Sequence, residues 1–208
     1  MSVSADAVAT EPSADLAALI GARICHDLVS PVGAISNGVE LLSLAGAAPS
    51  GPELSLVSES CASAEARLRF YRLAFGTQTS AEVIAAGEIA RLAAGYLADT
   101  RLALDWQADE ALPRGEVQLG FLALMCADAA LPRGGAVQVT RAGGRWHVAA
   151  EGPRLAADPA VWAQLSAPGP AGGLAPSQVE FLFLGLRAAA AGRRPESRLG
   201  ERDLALTV

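Results

Sequence analysis

The sequence contains no lysine, and all 16 of its basic side chains are arginine. We attribute this absence to genomic composition bias, because a selected function rarely excludes one residue type from a whole chain. Acidic side chains outnumber basic ones, which gives a net charge of −6. Domains that bind nucleic acid usually carry a basic patch, so this charge balance argues against a nucleic-acid partner. Aromatic residues make up only 5% of the chain, so the core must consist mainly of alanine, leucine and valine.

Cysteine is also scarce, and Cys25, Cys61 and Cys126 lie far apart without forming a CxxC pair. A disulfide framework normally uses an even number of closely spaced cysteines. The scattered set therefore predicts reduced thiols in the core of a cytoplasmic protein.

No long uninterrupted apolar run is visible in the sequence. The longest apolar stretches, 117–131 and 179–192, are broken by Asp128 and by Glu180 and Arg187. Both are shorter than the roughly 20 apolar residues that a membrane span needs. The N-terminus also lacks the basic and apolar regions of a signal peptide. We therefore expect no membrane association and a cytoplasmic location.

The N-terminal third of the chain predicts two long helices joined by a short turn. Residues 1–13 are small and polar and are expected to be disordered. Over residues 14–76 apolar side chains recur at helical spacing, interrupted by a Gly- and Pro-rich turn at 45–52. Two helices joined in this way form an antiparallel hairpin.

The predicted hairpin has more apolar surface than two helices can bury between themselves. Burying one leucine or isoleucine is worth roughly 1.5 to 3 kcal/mol, so a long apolar stripe is not expected to remain in water. A second copy of the hairpin would cover it, which predicts a homodimer with a four-helix bundle. The stripe consists of Leu16, Ile20, Ile24, Leu28, Ile35, Val39 and Leu42, followed by Leu54, Val57, Cys61, Leu68 and Leu73.

Residues 77–208 mix both kinds of secondary structure. Alternating apolar and polar residues predict strands, and longer apolar periods with capping residues predict helices. The fold class is therefore α+β, with the helical hairpin followed by an α/β sandwich domain. The predicted strands are 101–106, 136–141, 145–151 and 202–208, and the predicted helices are 80–98, 113–131, 158–165 and 177–191.

The segment HDLVSP (26–31) carries the clearest chemical signal in the chain. Two helical positions differ by about 200°, so His26 points away from the apolar stripe and is expected to be exposed. Its neighbours along the helix are mostly small, so another protein can approach the imidazole closely. The residues expected to contact a docked partner are Ala22, Arg23, Ser30, Gly33 and Asn37.

The adjacent His26 and Asp27 suit nucleophilic chemistry. A neutral imidazole nitrogen is a good nucleophile near neutral pH. The carboxylate can orient the ring, fix its tautomer and stabilise positive charge as a phosphoryl group arrives. The alternative is a surface histidine beside an aspartate with no role, and the position of the motif on an amphipathic helix disfavours it.

The segment HDLVSP resembles the H-box of sensor histidine kinases, in which His-Asp/Glu-Leu is followed by Ser/Thr-Pro. The longer run HDLVSPVGAISNGVELL (26–42) resembles the ChpT-type histidine phosphotransferases of α-proteobacterial phosphorelays. The resemblance implies that His26 is the phosphoacceptor and that Asp27 orients its ring. It also implies a homodimer that accepts phosphoryl from the receiver domain of a CckA-type hybrid kinase. CtrA-type and CpdR-type response regulators would receive the group in cell-cycle control.

The same resemblance implies that this protein holds no cofactor or metal of its own. A receiver domain would bring its own acidic pocket and Mg²⁺, which offsets charge on the transferring group. The chain would then need only a placed nucleophile and a docking surface.

The C-terminal half resembles the Bergerat-type ATP-binding domain of histidine kinases without its nucleotide-binding residues. Cys126 stands where the kinases have the Asn that binds Mg²⁺, and a thiol is a poor ligand for a hard cation. Ala150 and Arg154 replace the Asp and the second Gly of the next motif, unless Glu151 is the displaced acid. Pro176 contributes no amide donor to the phosphate-binding loop. The resemblance thus implies a degenerate domain that does not bind ATP.

Two other functions stay open at this point. An ATP-dependent histidine kinase with atypical motifs would bind nucleotide. A non-catalytic pseudokinase that sequesters response regulators by docking would work without His26. The favoured prediction is a histidine phosphotransferase that moves a phosphoryl group between receiver domains through His26.

Overall fold

The computed structural model describes residues 11–45, 51–77 and 82–208. Helices α1 (Glu11–Ala45) and α2 (Pro52–Ala74) form the N-terminal pair. Pro52 starts α2 because its missing amide hydrogen would be unsatisfied in the first turn anyway. The segment expected to be disordered lies mostly outside the described residues, but its last part is helical because α1 already begins at Glu11. The middle of the predicted turn, 46–50, also lies outside the described residues.

The rest of the chain contains every helix and strand that the sequence predicts, with shifted ends. The predicted cap at Ser80 lies outside the described residues, and the helix after it begins at Ala86. Ser177 lies in a 3₁₀ turn, so the last helix begins two residues later than predicted. The elements are β1 (Val83–Ile84), α3 (Ala86–Leu97), β2 (Leu102–Trp106), β3 (Leu112–Pro113), α4 (Arg114–Ala130), β4 (Gly135–Ala142), β5 (Arg145–Glu151), α5 (Pro159–Ala163), the 3₁₀ turn (Pro176–Gln178), α6 (Val179–Ala190), β6 (Glu196–Leu199) and β7 (Asp203–Thr207).

The main sheet has five strands in the order β2-β4-β5-β7-β6. Strand β2 runs parallel to β4, and the other neighbours are antiparallel. Val139, Val148 and Leu206 stand opposite one another across three strands and are buried, whereas Gln138 and Ala149 beside them are exposed. One face of the sheet is therefore covered by helices and the other faces water, as in an α/β sandwich. This confirms the predicted α+β class.

The C-terminal end of α2 belongs to the same core as the sheet. Phe70 is fully buried and stacks on Tyr96 of α3 with ring centroids 4.1 Å apart. The Gln118 side chain on α4 donates to the carbonyls of Ala74 and Gly76, at 3.0 and 2.8 Å. Ala74 is the last residue of α2 and Gly76 follows just after it, so Gln118 caps the C-terminal end of α2. Packing and capping together fix the helix pair to the α/β unit.

The other end of the helix pair packs closely but leaves apolar side chains in water. Gly38 of α1 is buried, and a β-carbon there would lie 2.4 Å from a methyl carbon of Val57 on α2. Of the predicted apolar stripe, only Leu73 is buried in the single chain. The most exposed apolar side chains of the two helices are Val29, Val32, Val39, Leu41, Leu54, Leu56 and Leu68.

Helix α1 is more apolar than expected from the sequence. Within the described residues, its segment Ala14–Ser43 is long and apolar enough to cross a membrane by length and composition. The two apolar stretches of the sequence at 117–131 and 179–192 instead form α4 and α6 in the core. A helix whose apolar face packs on other helices passes the same test, so this finding is weak support for a membrane span.

The prediction that all three cysteines lie in the core was wrong for two of them. Cys126 on α4 is fully buried, but Cys25 and Cys61 are exposed. The two exposed thiols belong to the helix pair, whose outer surface is not covered within a single chain.

Candidate functional site

His26 lies midway along α1 with 80% of its side chain exposed. The ring borders a groove of about 430 Å³ between α1 and α2. Helix α2 contributes Ser60, Ser63 and Arg67 to this groove, and Asp99 also lines it. The expected exposure of the imidazole agrees with this placement.

The imidazole is anchored by its neighbour in sequence. His26 Nδ1 lies 3.1 Å from Oδ1 of Asp27, whose side chain is only 10% exposed. An ionised carboxylate only accepts hydrogen bonds, so Nδ1 carries the hydrogen in this pair. Nε2 then keeps the lone pair and is the ring nitrogen that is able to act as a nucleophile.

Two buried groups hold the second oxygen of the Asp27 carboxylate. Tyr71 on α2 donates its hydroxyl hydrogen to Oδ2, and the Arg23 guanidinium lies 3.4 Å from the same atom. Tyr71 is 2% exposed, and burial followed by the hydrogen bond to Asp27 raises the pKa of its hydroxyl. The Asp27 carboxylate is thus held at both oxygens, Oδ1 by the imidazole and Oδ2 by Tyr71 and Arg23.

The structure separates the five residues that were expected to contact a docked partner. Ala22, Ser30, Gly33 and Asn37 are exposed on α1, and Ser30 shares the groove with His26. Arg23 is only 8% exposed and does not lie on that surface. Its helical position is next to His26, but its long side chain turns toward the α/β unit, where acidic groups attract it.

Further polar groups lie behind Arg23, and none of them was predicted from the sequence as a site residue. Arg23 Nη2 donates to Tyr96 Oη at 3.4 Å, and Tyr96 Oη donates to Asp128 Oδ2 at 2.9 Å. Glu180 on α6 is fully buried, and burial raises its pKa to about 8 although the charge of Arg23 opposes the shift. Burial lowers the pKa of Arg23, but the acidic groups around it outweigh this and the net shift is upward. Asp128 and Glu180 interrupt apolar stretches, and this was the available signal.

The three segments compared with kinase nucleotide motifs meet around one cavity of about 580 Å³. The cavity is lined by Pro132, which follows Cys126, by Arg154, which follows Ala150, and by Ser177, which follows Pro176. Cys126 and Ala150, at the positions of the kinase Asn and Asp, are buried side chains outside its lining. Among the described residues, no group of three or more His, Cys, Asp and Glu side chains is placed to hold a metal ion.

Comparison with known proteins assigns this architecture to a family. Residues 86–202, more than half of the chain, match the histidine phosphotransferase C-terminal domain family. The chain belongs to the histidine phosphotransferase family. It is 42% identical to the protein phosphotransferase ChpT of Brucella abortus (strain 2308) over 127 residues, which cover 60% of this chain and 60% of ChpT. A solved bacterial phosphotransferase superposes with a TM-score of 0.75 at 29% identity, covering 100% of this chain and 98% of its own.

Membership of the histidine phosphotransferase family confirms the resemblance drawn from residues 26–42. The motif at residues 26–42 and the family match at residues 86–202 lie in different parts of the chain. The motif around His26 lies in the helix pair, whereas the family match begins at residue 86 and lies in the α/β unit. Both parts therefore point to one family.

Proposed function

We propose that this protein is a histidine phosphotransferase of a multistep phosphorelay and that His26 is its phosphoacceptor. The observation that carries the proposal is the pairing of an exposed imidazole with a fixed carboxylate. His26 is open to a partner, while Asp27 beside it is nearly buried and holds Nδ1. This arrangement leaves Nε2 free to attack a phosphoryl group.

In the proposed step, His26 Nε2 attacks the phosphorus of an aspartyl phosphate on a receiver domain. A P–N bond forms as the acyl P–O bond breaks, and the electron pair of the broken bond returns to the partner's carboxylate. The ring becomes cationic because Nδ1 keeps its hydrogen, and Asp27 offsets that charge at 3.1 Å. The reverse step passes the phosphoryl group to a second receiver. Mg²⁺ in the receiver's acidic pocket would offset charge on the transferring group.

The groove beside His26, together with the exposed face of α1 next to it, is the proposed docking surface for the receiver. Ser30, Gly33 and Asn37 are exposed along α1, and a β-carbon at Gly33 would meet no atom within 4 Å. Small, uncrowded side chains allow the close approach that in-line transfer requires. The proposed donor is the receiver of a CckA-type hybrid kinase, and the proposed acceptors are CtrA-type and CpdR-type response regulators in cell-cycle control.

We further propose that the protein acts as a cytoplasmic homodimer held by α1 and α2. In the single chain Val39 and Leu68 are each 50% exposed, and most of the other stripe residues are only half-buried. A second copy of the helix pair would bury this surface in a four-helix bundle. Each His26 would stay accessible to its own receiver.

Two alternative functions make different demands on the α/β unit. An ATP-dependent kinase is favoured by the cavity at which Pro132, Arg154 and Ser177 meet. We nevertheless propose that nucleotide binding is lost, because Cys126 and Ala150 offer no ligand for Mg²⁺ or adenine. A pseudokinase that sequesters response regulators would need the docking groove but not the imidazole.

The test is transfer from a receiver domain charged with radioactive phosphate. The wild-type protein is expected to become labelled. His26→Ala is expected to stay unlabelled, with its fold and dimerisation unchanged. Substitution of an exposed side chain usually changes stability by less than about 0.5 kcal/mol. His147→Ala is the matched control, because His147 is the other histidine of the chain. Labelling of His26→Ala would refute the proposal, and a wild type that binds the receiver without becoming labelled would favour the pseudokinase.

A further inference from the structure

A buried network of five polar side chains connects the phosphoacceptor to the α/β unit. Its members are Asp27, Tyr71, Arg23, Tyr96 and Asp128, and it begins at the Asp27 carboxylate. One carboxylate oxygen pairs with the imidazole, and the other accepts from Tyr71 and lies 3.4 Å from Arg23. The first three members belong to the helix pair.

The second half of the buried network crosses into the α/β unit. Arg23 donates to the Tyr96 hydroxyl at 3.4 Å, and Tyr96 donates to Asp128 at 2.9 Å. Tyr96 is 1% exposed on α3, and Asp128 is on α4, the helix that also caps the end of α2. Two helices of the α/β unit are thus connected to Asp27 through two hydrogen bonds and one ion pair.

Packing alone does not require the two phenol hydroxyls. Phe70 lies between the same elements, stacks on Tyr96 and Phe121, and has no polar atom in its side chain. A buried hydroxyl without a partner costs about 1 to 3 kcal/mol, so each phenol needs its acceptor where phenylalanine would not. Both hydroxyls here lie in the network that leads to Asp27. Their placement points to a task beyond filling the core.

We propose that Tyr71 and Tyr96 are positioning residues that set the tautomer and orientation of His26 through Asp27. This inference rests on the proposed function of His26. Tyr71 holds the carboxylate directly, and Tyr96 holds Arg23 so that it stays against the same oxygen. The α/β unit thereby sets the reactivity of the nucleophile, in addition to any docking role.

The chemical consequence follows from the hydrogen on the ring. While Asp27 is fixed, Nδ1 donates to it and Nε2 keeps the lone pair that attacks phosphorus. Without the Tyr71 hydroxyl only Arg23, at 3.4 Å, still holds Oδ2, so the carboxylate is less firmly fixed and the hydrogen bond from Nδ1 weakens. The tautomer with hydrogen on Nε2 then gains population, and that tautomer has no lone pair at the attacking nitrogen.

The experiment measures the tautomer and the transfer rate on the same full-length variants. Tyr71→Phe and Tyr96→Phe keep the rings and remove the hydroxyls. Long-range proton–nitrogen NMR spectra of nitrogen-15-labelled protein report the tautomers of His26 and His147, the two histidines of the chain. Transfer is measured from an aspartyl-phosphorylated receiver domain of a hybrid histidine kinase. Thr207→Val is the matched control, because the Thr207 hydroxyl lies 3.2 Å from Nδ1 of His147.

In the wild type His26 is expected to carry its hydrogen on Nδ1. Tyr71→Phe is expected to shift His26 toward the Nε2–H tautomer and to slow transfer roughly tenfold, by analogy with the loss caused by removing the hydrogen-bond partner that orients a metal-bound histidine. Tyr96→Phe should give a smaller change in the same direction. Thr207→Val should change the tautomer of His147 and leave the tautomer of His26 and the transfer rate unchanged.

A folded Tyr71→Phe variant with an unchanged His26 tautomer would overturn the inference, whether or not its transfer slows. If Tyr96→Phe does not fold, the Tyr71→Phe spectra decide the question by themselves. If even the wild type accepts no phosphoryl group, the proposed function fails. The tautomer shift in the unphosphorylated protein still confirms or refutes the positioning role in that case.

Discussion

Glu180→Gln is expected to make the protein more stable at neutral pH and to remove part of its pH dependence. Glu180 is fully buried on α6, and its carboxylate oxygens have no side-chain hydrogen-bond partner among the described residues. Burial disfavours the charged form, so the pKa rises from 4.5 to about 8 even though the Arg23 charge opposes the rise. The substitution keeps the shape of the side chain and removes its titration.

The magnitude follows from the difference between the folded and unfolded pKa. Between pH 4.5 and 8 the folded protein keeps a proton on Glu180 that the unfolded chain loses, so the free energy of unfolding falls as pH rises. The slope approaches about 1.4 kcal/mol per pH unit, and the loss between pH 5 and 7 is about 2 to 3 kcal/mol. Above the folded pKa this loss levels off. The variant should match the wild type near pH 5 and exceed it by about this amount at pH 7.

The assay is urea unfolding at pH 5, 6, 7 and 8, followed by the fluorescence of the three tryptophans. Protein concentration is held fixed, because association of the chain would otherwise shift the apparent stability. Glu201→Gln serves as the control, since Glu201 is exposed. The control variant should follow the pH profile of the wild type.

A Glu180→Gln variant that is less stable than the wild type at pH 7 would refute this reasoning. That outcome would mean that Glu180 is ionised in the folded protein and that its attraction to Arg23 outweighs the cost of burial. Equal pH profiles for the two proteins would also refute it, because they would show that the group titrates alike in the folded and unfolded states.

Two further predictions concern assembly and nucleotide. Val39→Glu or Leu42→Glu is expected to split or unfold the dimer and to reduce transfer, because it places a charge in the apolar stripe. Val83→Glu, at an exposed valine of the α/β unit, should leave the dimer intact. A monomeric mass for the wild type by light scattering at micromolar concentration would contradict the bundle. Calorimetry with millimolar Mg-ATP should show no saturable heat, and self-phosphorylation from ATP alone would instead support a kinase.

Local patterns were sufficient to predict most of the secondary structure. The period of the apolar residues located α1, α2, α4 and the hairpin of β4 and β5 within a few residues. The short strands β1, β3 and β6 were not predicted. Two of them are only two residues long, and every residue of β6 is exposed, so alternation gave no signal. Such strands form because a neighbouring strand offers backbone partners, which a local pattern does not record.

The sequence by itself determined the candidate nucleophile and its acid. His26 and Asp27 are adjacent, and their chemistry and helical phase depend only on neighbours within one or two turns. The structure agrees, with an exposed ring and a 3.1 Å contact between the two side chains. Local information was enough because the pair forms within one helix.

Tertiary structure decided what holds that acid in place. Helical phase predicted that Arg23 lies beside His26 on an exposed surface. In the structure the acidic groups around Arg23 attract its side chain inward. Tyr71 is 44 positions from Asp27, and Tyr96 is 73 positions from Arg23. The local patterns of a single sequence give no information about contacts between positions so far apart. The contacts exist because stacking of Phe70 on Tyr96 brings α2 against α3, and that packing places the two phenols behind His26 and Asp27.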